Sequence, residues 1–475
     1  MTTRFVEDRY NIINNIINNI KCNSNYSTIK DDITLSLSTS SSTSTTNEND
    51  NRTFRKINYY NKFNTKDIRH YIRKDYINII ELLEKITNKY FNDNKKNDIN
   101  NYIEYIASGA HGLAYKDYNN NFAIKFISHK KNKNKEKNIY SITNEVNVEL
   151  LTIICLSQLI TNKKTPHLIN PIMTFYTETN IIVQSAIRLK NKFIQHKKKN
   201  NLDRSQKEHI ERSIKNLSEY IDKYEKNKIE KITSGIITEY ANCGDLLSFI
   251  KRNLNLGKII NLEIWRNILF QIIFNLELLQ TNFIGFRHND LKANNILISE
   301  IIISKKNGGI TYKISNPEKN FHLPNIGYRI FLWDFDFACI PFVSNKIPIN
   351  RDFLDKILNE KIESKNFKKY NITSDKNDYY DLHFFINSLC NQFIHNFYKS
   401  ELIPEEVKEF TKRIVPNELA GWEKKDVTCR GRILNNIEHT TPKKILQNDP
   451  FFYPYVKNYN KLIDLVNGYN KLNMD

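Results

Sequence analysis

No C-x-x-C pair occurs in this 475-residue sequence; its six cysteines (Cys22, Cys155, Cys243, Cys339, Cys390, Cys429) lie far apart. That spacing argues against a zinc site or a disulfide framework and for a reducing compartment. A secretory signal is also missing, because Met1 to Lys21 carries Arg4, Glu7, Asp8 and Arg9 among many asparagines. The longest apolar-rich stretch, Leu150 to Ile160, contains Ser157 and Gln158 and is too short to span a bilayer. A soluble, intracellular protein is expected. There is no internal repeat, and no basic motif interleaved with aromatics in the manner of a nucleic-acid-binding module. No specific nucleic acid is therefore expected, although the formal charge is +19 and the pI about 9.3. Asn, Ile and Lys are heavily used even where nothing else marks a polyanion surface, as in Asn92 to Asn101, so composition accounts for much of the charge.

Hydrophobic residues at 40% and aromatics at 12% exclude a wholly disordered polymer, and the length permits a substantial core. Residues 1–60 read as a low-complexity appendage: Ser36 to Thr46 holds ten Ser or Thr in eleven positions. Over 61–99 a helical extension is expected, with Ile68, Ile72, Tyr76, Ile79, Leu83, Ile86 and Tyr90 on one face. Beyond residue 100 short strands follow: Tyr102 to Ala107, Leu113 to Asp117, Phe122 to Ile127, then Ile172 to Tyr176, Ile181 to Ser185 and Ile236 to Tyr240. A helix is expected over about Ser141 to Leu159. Residues 188–231 form a basic insertion whose Ile210, Ile214, Leu217, Ile221 and Tyr224 make a narrow helical seam. That seam is expected to be buried on this chain or on a partner, with the basic segments, Lys197 to Lys199 among them, suiting an acidic protein or an anionic membrane surface; the alternative is a solvated insertion with no partner. After residue 241 the pattern is mainly helical, notably Leu262 to Phe283. The fold class is α+β.

Four chemical signals occur in a fixed order. The first is Ile106, Ala107, Ser108, Gly109, Ala110, His111, Gly112, Leu113 and Ala114, between two strands. Small residues there let backbone N–H groups approach phosphate oxygens, or simply make a tight hairpin. The second is Phe122-Ala-Ile-Lys125, whose ammonium either snorkels to the surface or reaches the α and β phosphates. Third is His288-Asn-Asp-Leu-Lys-Ala-Asn-Asn295 followed by Ile-Leu-Ile. Phosphoryl transfer needs a carboxylate to take the hydroxyl proton, a cation near the γ-phosphate and oxygen ligands for Mg²⁺. Asp290, Lys292 and Asn295 supply those types within six residues. The fourth is Asp334-Phe-Asp336 after an apolar run.

That order resembles the eukaryotic protein kinase superfamily over roughly residues 100–455. The resemblance implies a bilobal fold, with a small β-rich N-lobe (100–240, carrying the 188–231 insertion), a larger helical C-lobe (241–455) and a tail from 456 to 475. It implies ATP and Mg, with Mn as an alternative metal, and protein substrates. By that resemblance Asp290 is the catalytic base with Lys292 beside it, and Asn295 and Asp334 hold the metal. Lys125 would meet the phosphates and an acid on the next helix, with Glu145 preferred and Glu149 the alternative. Glu239 to Ala241 would form the adenine hinge and Asp245 would meet the ribose. Asp378 would anchor the catalytic loop from below, and Thr441 to Phe452 resembles the last helix of the fold. More narrowly, the motifs look like the virion serine/threonine kinases of poxviruses and related large DNA viruses, which implies host cytoplasm and virion.

Three positions depart from the pattern: Ala107 for the first loop glycine, Asn289 for the arginine beside the catalytic Asp, and Asp336 for the glycine after Asp-Phe. Two rivals stay open. One is a small-molecule phosphotransferase of the aminoglycoside or choline kinase type, which shares His-x-Asp-x-x-x-x-Asn; Lys292 favours a Ser/Thr protein kinase. The other is a non-catalytic pseudokinase scaffold.

Overall fold

Lys125 is placed by a mixed α/β architecture seen in a computed structural model, which describes residues 76–87, 98–109, 112–131, 139–140, 144–199, 202–301, 309–315, 318–340, 369–373 and 375–456. The described chain divides into two compact units, one of residues up to 158 together with 169–240, the other of residues 159–168 and 241 onward. The first unit begins with α1 (Ile79–Thr87), started by Asn78, whose side-chain oxygen accepts from the Ile80 amide. Of the expected 61–99 helix, residues 61–75 and 88–97 lie outside the described residues, as do 1–60 and 457–475; Tyr76 is not helical but bridges to Tyr176, and Ile99 opens a short 3-10 turn, Ile99–Asn101, instead of continuing an α-helix. The strands β1 (Ile103–Ser108), β2 (Gly112–Asp117) and β3 (Phe122–Lys130) form an antiparallel meander. The helix α2 (Glu145–Thr161) follows, then β4 (Pro171–Glu178), α3 (Thr179–Lys199), α4 (Arg204–Glu225) and β5 (Ile229–Glu239). The sheet order is β1-β2-β3-β5-β4, every neighbour antiparallel.

Alternation along β3 decides what each face does. Phe122, Ile124 and Phe126 join a buried cluster with Leu113, Tyr115 and Phe175, with Leu82 and Leu83 of α1, and with Leu217, Tyr220 and Ile221 of α4. Lys125 lies between Ile124 and Phe126 and so points to the other face. Close approach fixes Gly235, because a Cβ there would sit 2.1 Å from the Phe175 ring.

The expected strand at Ile181 to Ser185 is helical; it lies in the first turns of α3. Its apolar run reads as a strand only in a short window. With Ala186, Ile187, Leu189 and Phe193 included, the burial follows a helical face. The insertion is thus a two-helix hairpin between β4 and β5, and its expected last residues, 229–231, already belong to β5. An Asp203–Gln206 capping box starts α4. The expected seam docks on the chain's own sheet: Leu217 is fully buried, the Tyr220 hydroxyl bonds the Ser128 hydroxyl at 3.0 Å, and Asn216 donates to the Ser108 carbonyl at 3.4 Å.

In the second unit, Asp245 caps α5 (Leu246–Asn255). The long helix α6 (Leu262–Asn282), capped by Asn261, is buried along most of its length. Strands β6 (Ile296–Glu300) and β9 (Tyr328–Leu332) make one ribbon, and β7 (Ile310–Ile314) and β8 (Lys319–Leu323) another. Phe270 of α6 packs with Tyr312, Phe321 and Phe452. Helices α7 (Tyr380–Ser388), α8 (Glu405–Ile414) and α9 (Pro442–Asn448) follow among the described residues. Thr441 caps α9 by accepting from the Lys444 amide, and Asp449 takes both arms of Arg413 at 3.1 and 2.8 Å. No described helix is long and apolar enough to cross a membrane.

Candidate active site

The residues expected to meet phosphate lie in the first unit. The β3 strand sets Lys125 opposite Ala114 of β2 and Ile236 of β5. Its ammonium reaches Glu149 Oε1 at 2.5 Å. The Glu149 side chain is only 3% exposed and that of Lys125 is 21% exposed. A buried carboxylate needs such a cation, because desolvation is otherwise uncompensated. This corrects the preference for Glu145, which is the first residue of α2. One turn further along, Glu149 is carried inside the unit, where it reaches the strand.

The glycine segment straddles the β1–β2 turn. Ile106, Ala107 and Ser108 end β1, while Leu113 and Ala114 continue β2; Ala110 and His111 lie outside the described residues. The Gly109 amide donates to the Gly112 carbonyl at 2.9 Å. A Cβ on Gly109 would meet nothing within 4 Å, whereas one on Gly112 would sit 1.7 Å from the Phe126 carbonyl oxygen. Gly112 is therefore required by strand packing, and Gly109 leaves backbone open to approach. Glu239 turns its carboxylate inward to accept from the Asn170 amide at 2.6 Å, so its side chain stiffens the strand end. The boundary between the compact units falls between Tyr240 and Ala241.

The second unit carries the residues expected to act as base and to hold the metal. Asp245 Oδ1 accepts from the Ser248 amide at 2.9 Å and its Oδ2 from the Ser248 hydroxyl at 2.6 Å. Following α6, the loop 287–295 is held by buried Asp381, whose carboxylate accepts from the His288 amide at 2.6 Å and the Asn289 amide at 2.8 Å. Burial pushes the Asp381 carboxyl above its usual range despite these bonds and nearby His288. The anchor is thus Asp381 rather than Asp378. The acid one residue into α7 aims at the loop, while Asp378 precedes the helix and pairs with Lys376 at 3.4 Å. Arg287 pairs its backbone with Cys339, stacks its guanidinium on Tyr380 with the centroid 3.9 Å away, and donates to the Asn371 and Asp375 carbonyls.

Asp290 is 6% exposed. Its Oδ2 accepts from Lys292 at 2.5 Å and from the Asn295 amide at 3.1 Å; its Oδ1 is bonded by Arg432. The Asn295 amide also donates to the Asp290 carbonyl at 2.9 Å. The β6–β9 ribbon then brings the two metal candidates to one end, since the Trp333 amide donates to the Asn295 carbonyl at 3.0 Å and Asp334 follows directly. Asp334 adopts φ 64°, a left-handed conformation that Asp tolerates. His288 accounts for the next residues, bonding the Trp333 carbonyl at 2.9 Å and packing on Phe335.

With the Asn295 amide nitrogen spent on Asp290, its side-chain oxygen remains for a cation. Together with the Asp334 carboxylate, that is an all-oxygen donor set of the kind Mg²⁺ prefers. Among the described residues there is no cluster of three or more His, Cys, Asp or Glu that could hold a metal. Arg432, Arg287 and Asp381 had no signal in the sequence beyond residue type.

No family model matches the chain. It is 33% identical over 360 residues to a protein of Acanthamoeba polyphaga mimivirus named "Putative serine/threonine-protein kinase", covering 74% of this chain and 68% of that protein. The chain belongs to the serine/threonine-protein kinase family. A second mimivirus protein with that family name is 35% identical over 115 residues, 24% of this chain and 26% of its own. A "Probable serine/threonine-protein kinase" of Dictyostelium discoideum is 32% identical over 120 residues, 24% of this chain and 9% of its own.

Proposed function

We propose that the chain is a bilobal protein kinase that uses ATP and Mg²⁺ to phosphorylate serine and threonine hydroxyls of proteins. The observation that carries this reading is the Asp290 carboxylate, with Lys292 and Asn295 on Oδ2, in a loop fixed from beneath by Asp381. Asp290 would accept the proton of the substrate hydroxyl as its oxygen bonds to the γ-phosphorus and the bond to the β-phosphate oxygen breaks. Lys292 would lie beside the transferred group, and Lys125, steadied by Glu149, would serve the α and β phosphates. Mg²⁺, held by Asn295 and Asp334, would supply charge neutralisation of the phosphates. The reading extends to a viral enzyme acting in virion assembly, supported by the motif resemblance and by similarity to giant-virus proteins.

Incubation of the purified chain with labelled ATP, Mg²⁺ and generic acidic and basic proteins, followed by phosphoamino-acid analysis, tests this. Phosphoserine or phosphothreonine should appear, and Asp290→Asn should lower turnover by about 10²–10⁴-fold with ATP binding retained. Undiminished activity of Asp290→Asn, or transfer only to aminoglycosides or choline, would refute the reading.

A further inference from the structure

Arg432 is far from the catalytic loop in sequence and belongs to no kinase motif read from it, yet its guanidinium contacts the carboxylate on which the reaction depends. The residue is 5% exposed. Its Nη2 bonds Asp290 Oδ1, its Nε donates to the Asn289 carbonyl at 3.4 Å, and its plane lies over the Phe384 ring, 4.1 Å from the centroid. The backbone is pinned as firmly. The Arg432 amide donates to the Thr428 hydroxyl at 3.0 Å, the Thr428 amide donates to the Arg432 carbonyl at 2.7 Å, and Asn387 donates to the Gly431 carbonyl at 2.8 Å. Gly431 has φ +76°, and a Cβ there would lie 1.6 Å from Gln392 Nε2. This is a built pocket for one guanidinium.

The two oxygens of Asp290 are consequently divided. Oδ1 is held by a buried cation on the core side, and Oδ2 lies between Lys292 and Asn295. A carboxylate gripped at one oxygen by a charge-assisted bond cannot turn about its last torsion without breaking that bond. The neighbouring position, where the family has an arginine, is Asn289, whose amide is engaged with the Phe337 and Thr373 carbonyls.

Resting on the kinase reading above, we propose that Arg432 is a positioning residue that locks the Asp290 carboxylate so that Oδ2 is presented to the substrate hydroxyl. In this role the arginine acts through Asp290. An inhibitory arm would need to swing away, and the stacking on Phe384 and the backbone bonds at Thr428 and Gly431 hold this one in place.

Arg432→Met, which keeps much of the volume, and Arg432→Lys, which keeps the charge without the fork, test the proposal in the full-length chain. Misorientation of a reacting group costs up to about 100-fold in rate. Arg432→Met should therefore lower kcat by about 10–100-fold with KM for ATP within about threefold, and Arg432→Lys should recover part of that loss. Rates are taken per folded molecule, with folding followed by circular dichroism. A thermal-unfolding cycle of Arg432→Met with Asp290→Asn should show coupling, a result independent of activity. Unchanged kcat in Arg432→Met overturns the proposal, and an increased kcat overturns it in favour of restraint of the base. A loss that only tracks the unfolded fraction, with no recovery in Arg432→Lys, reduces the arginine to a structural role. Coupling in the melts with an inactive wild-type chain brings down the kinase reading and this proposal together, whereas an active wild type beside an unaffected variant brings down this proposal alone.

Discussion

Leu217→Ala measures how far the helical hairpin belongs to the sheet it covers. Leu217 is 0% exposed and sits on α4 in one buried cluster with Tyr115, Phe126 and Phe175. Helices in proteins draw most of their stability from packing of the amphipathic face, and the capping box is worth only about 1 kcal/mol, so most of the stability of α4 must come from the seam. Truncating a fully buried leucine removes transfer free energy and leaves a cavity, about 2–5 kcal/mol in total. At about 3 kcal/mol, and with about 2–4 °C per kcal/mol for a unit of this size, the melting temperature should fall by about 6–12 °C. Lys215→Ala, at an exposed position on the same helix, should stay within about 0.5 kcal/mol of the parent. The assay is thermal unfolding of the purified full-length chain followed by circular dichroism. Equal melting temperatures for Leu217→Ala and the parent would show that the seam is not docked, and the argument for a self-covered sheet would fail.

Glu149→Gln and Lys125→Ala should be non-additive in kcat by about 0.5–3 kcal/mol, because each removes one member of the same ion pair. The same cycle with Glu145→Gln should be close to additive, and the reverse order would remove Glu149 from the site. Burial pushes the imidazole of His383 down to about 4 from an ordinary value of 6.5, against the opposing effect of its bond to the Leu419 carbonyl. The unfolded chain therefore binds the proton more readily, and folding stability should drop as pH falls from about 6.5 towards 4. His383→Asn should flatten that part of the melting-temperature profile relative to the parent, and parallel profiles would contradict it.

The ordering of chemical residues was legible in the sequence because each is bound to a local rule. Lys125 lies within the apolar alternation of Phe122, Ile124 and Phe126, and Asp290, Lys292 and Asn295 sit between a long helix and an apolar strand. The contacts joining distant segments were not legible. Glu145 and Glu149 share a helical face, so spacing alone does not separate them, and the contact of Glu149 with Lys125 does. Asp378 and Asp381 flank the same two tyrosines, and only the start of α7 tells which carboxylate turns inward. Ile181 to Ser185 has the β-branched texture of a strand, yet packing of Ala186 and Phe193 against the sheet makes it helical. Arg432 is one cation among 71 Lys and Arg, and nothing local marks it.

The three departures from the kinase pattern can each be judged by the backbone they sit on. Ala107 lies in β1 opposite Ala114, where a methyl group is ordinary. Asp336 is not among the residues with positive φ; that conformation falls on Asp334, so replacing the glycine costs no backbone strain at 336. Asn289 is the substitution that changes the chemistry. It adopts φ 63°, where asparagine is among the better-tolerated side chains, and its amide bonds the carbonyls of Phe337 and Thr373 at 3.0 and 3.2 Å. An arginine at this position would carry charge beside Asp290. The asparagine instead ties the loop to both flanking segments with neutral bonds, and Arg287 reinforces the tie through Asn371, Thr373 and Asp375. The buried cation beside the carboxylate comes from Arg432. Charge and tether, which one arginine can combine, are here divided between two residues 143 positions apart.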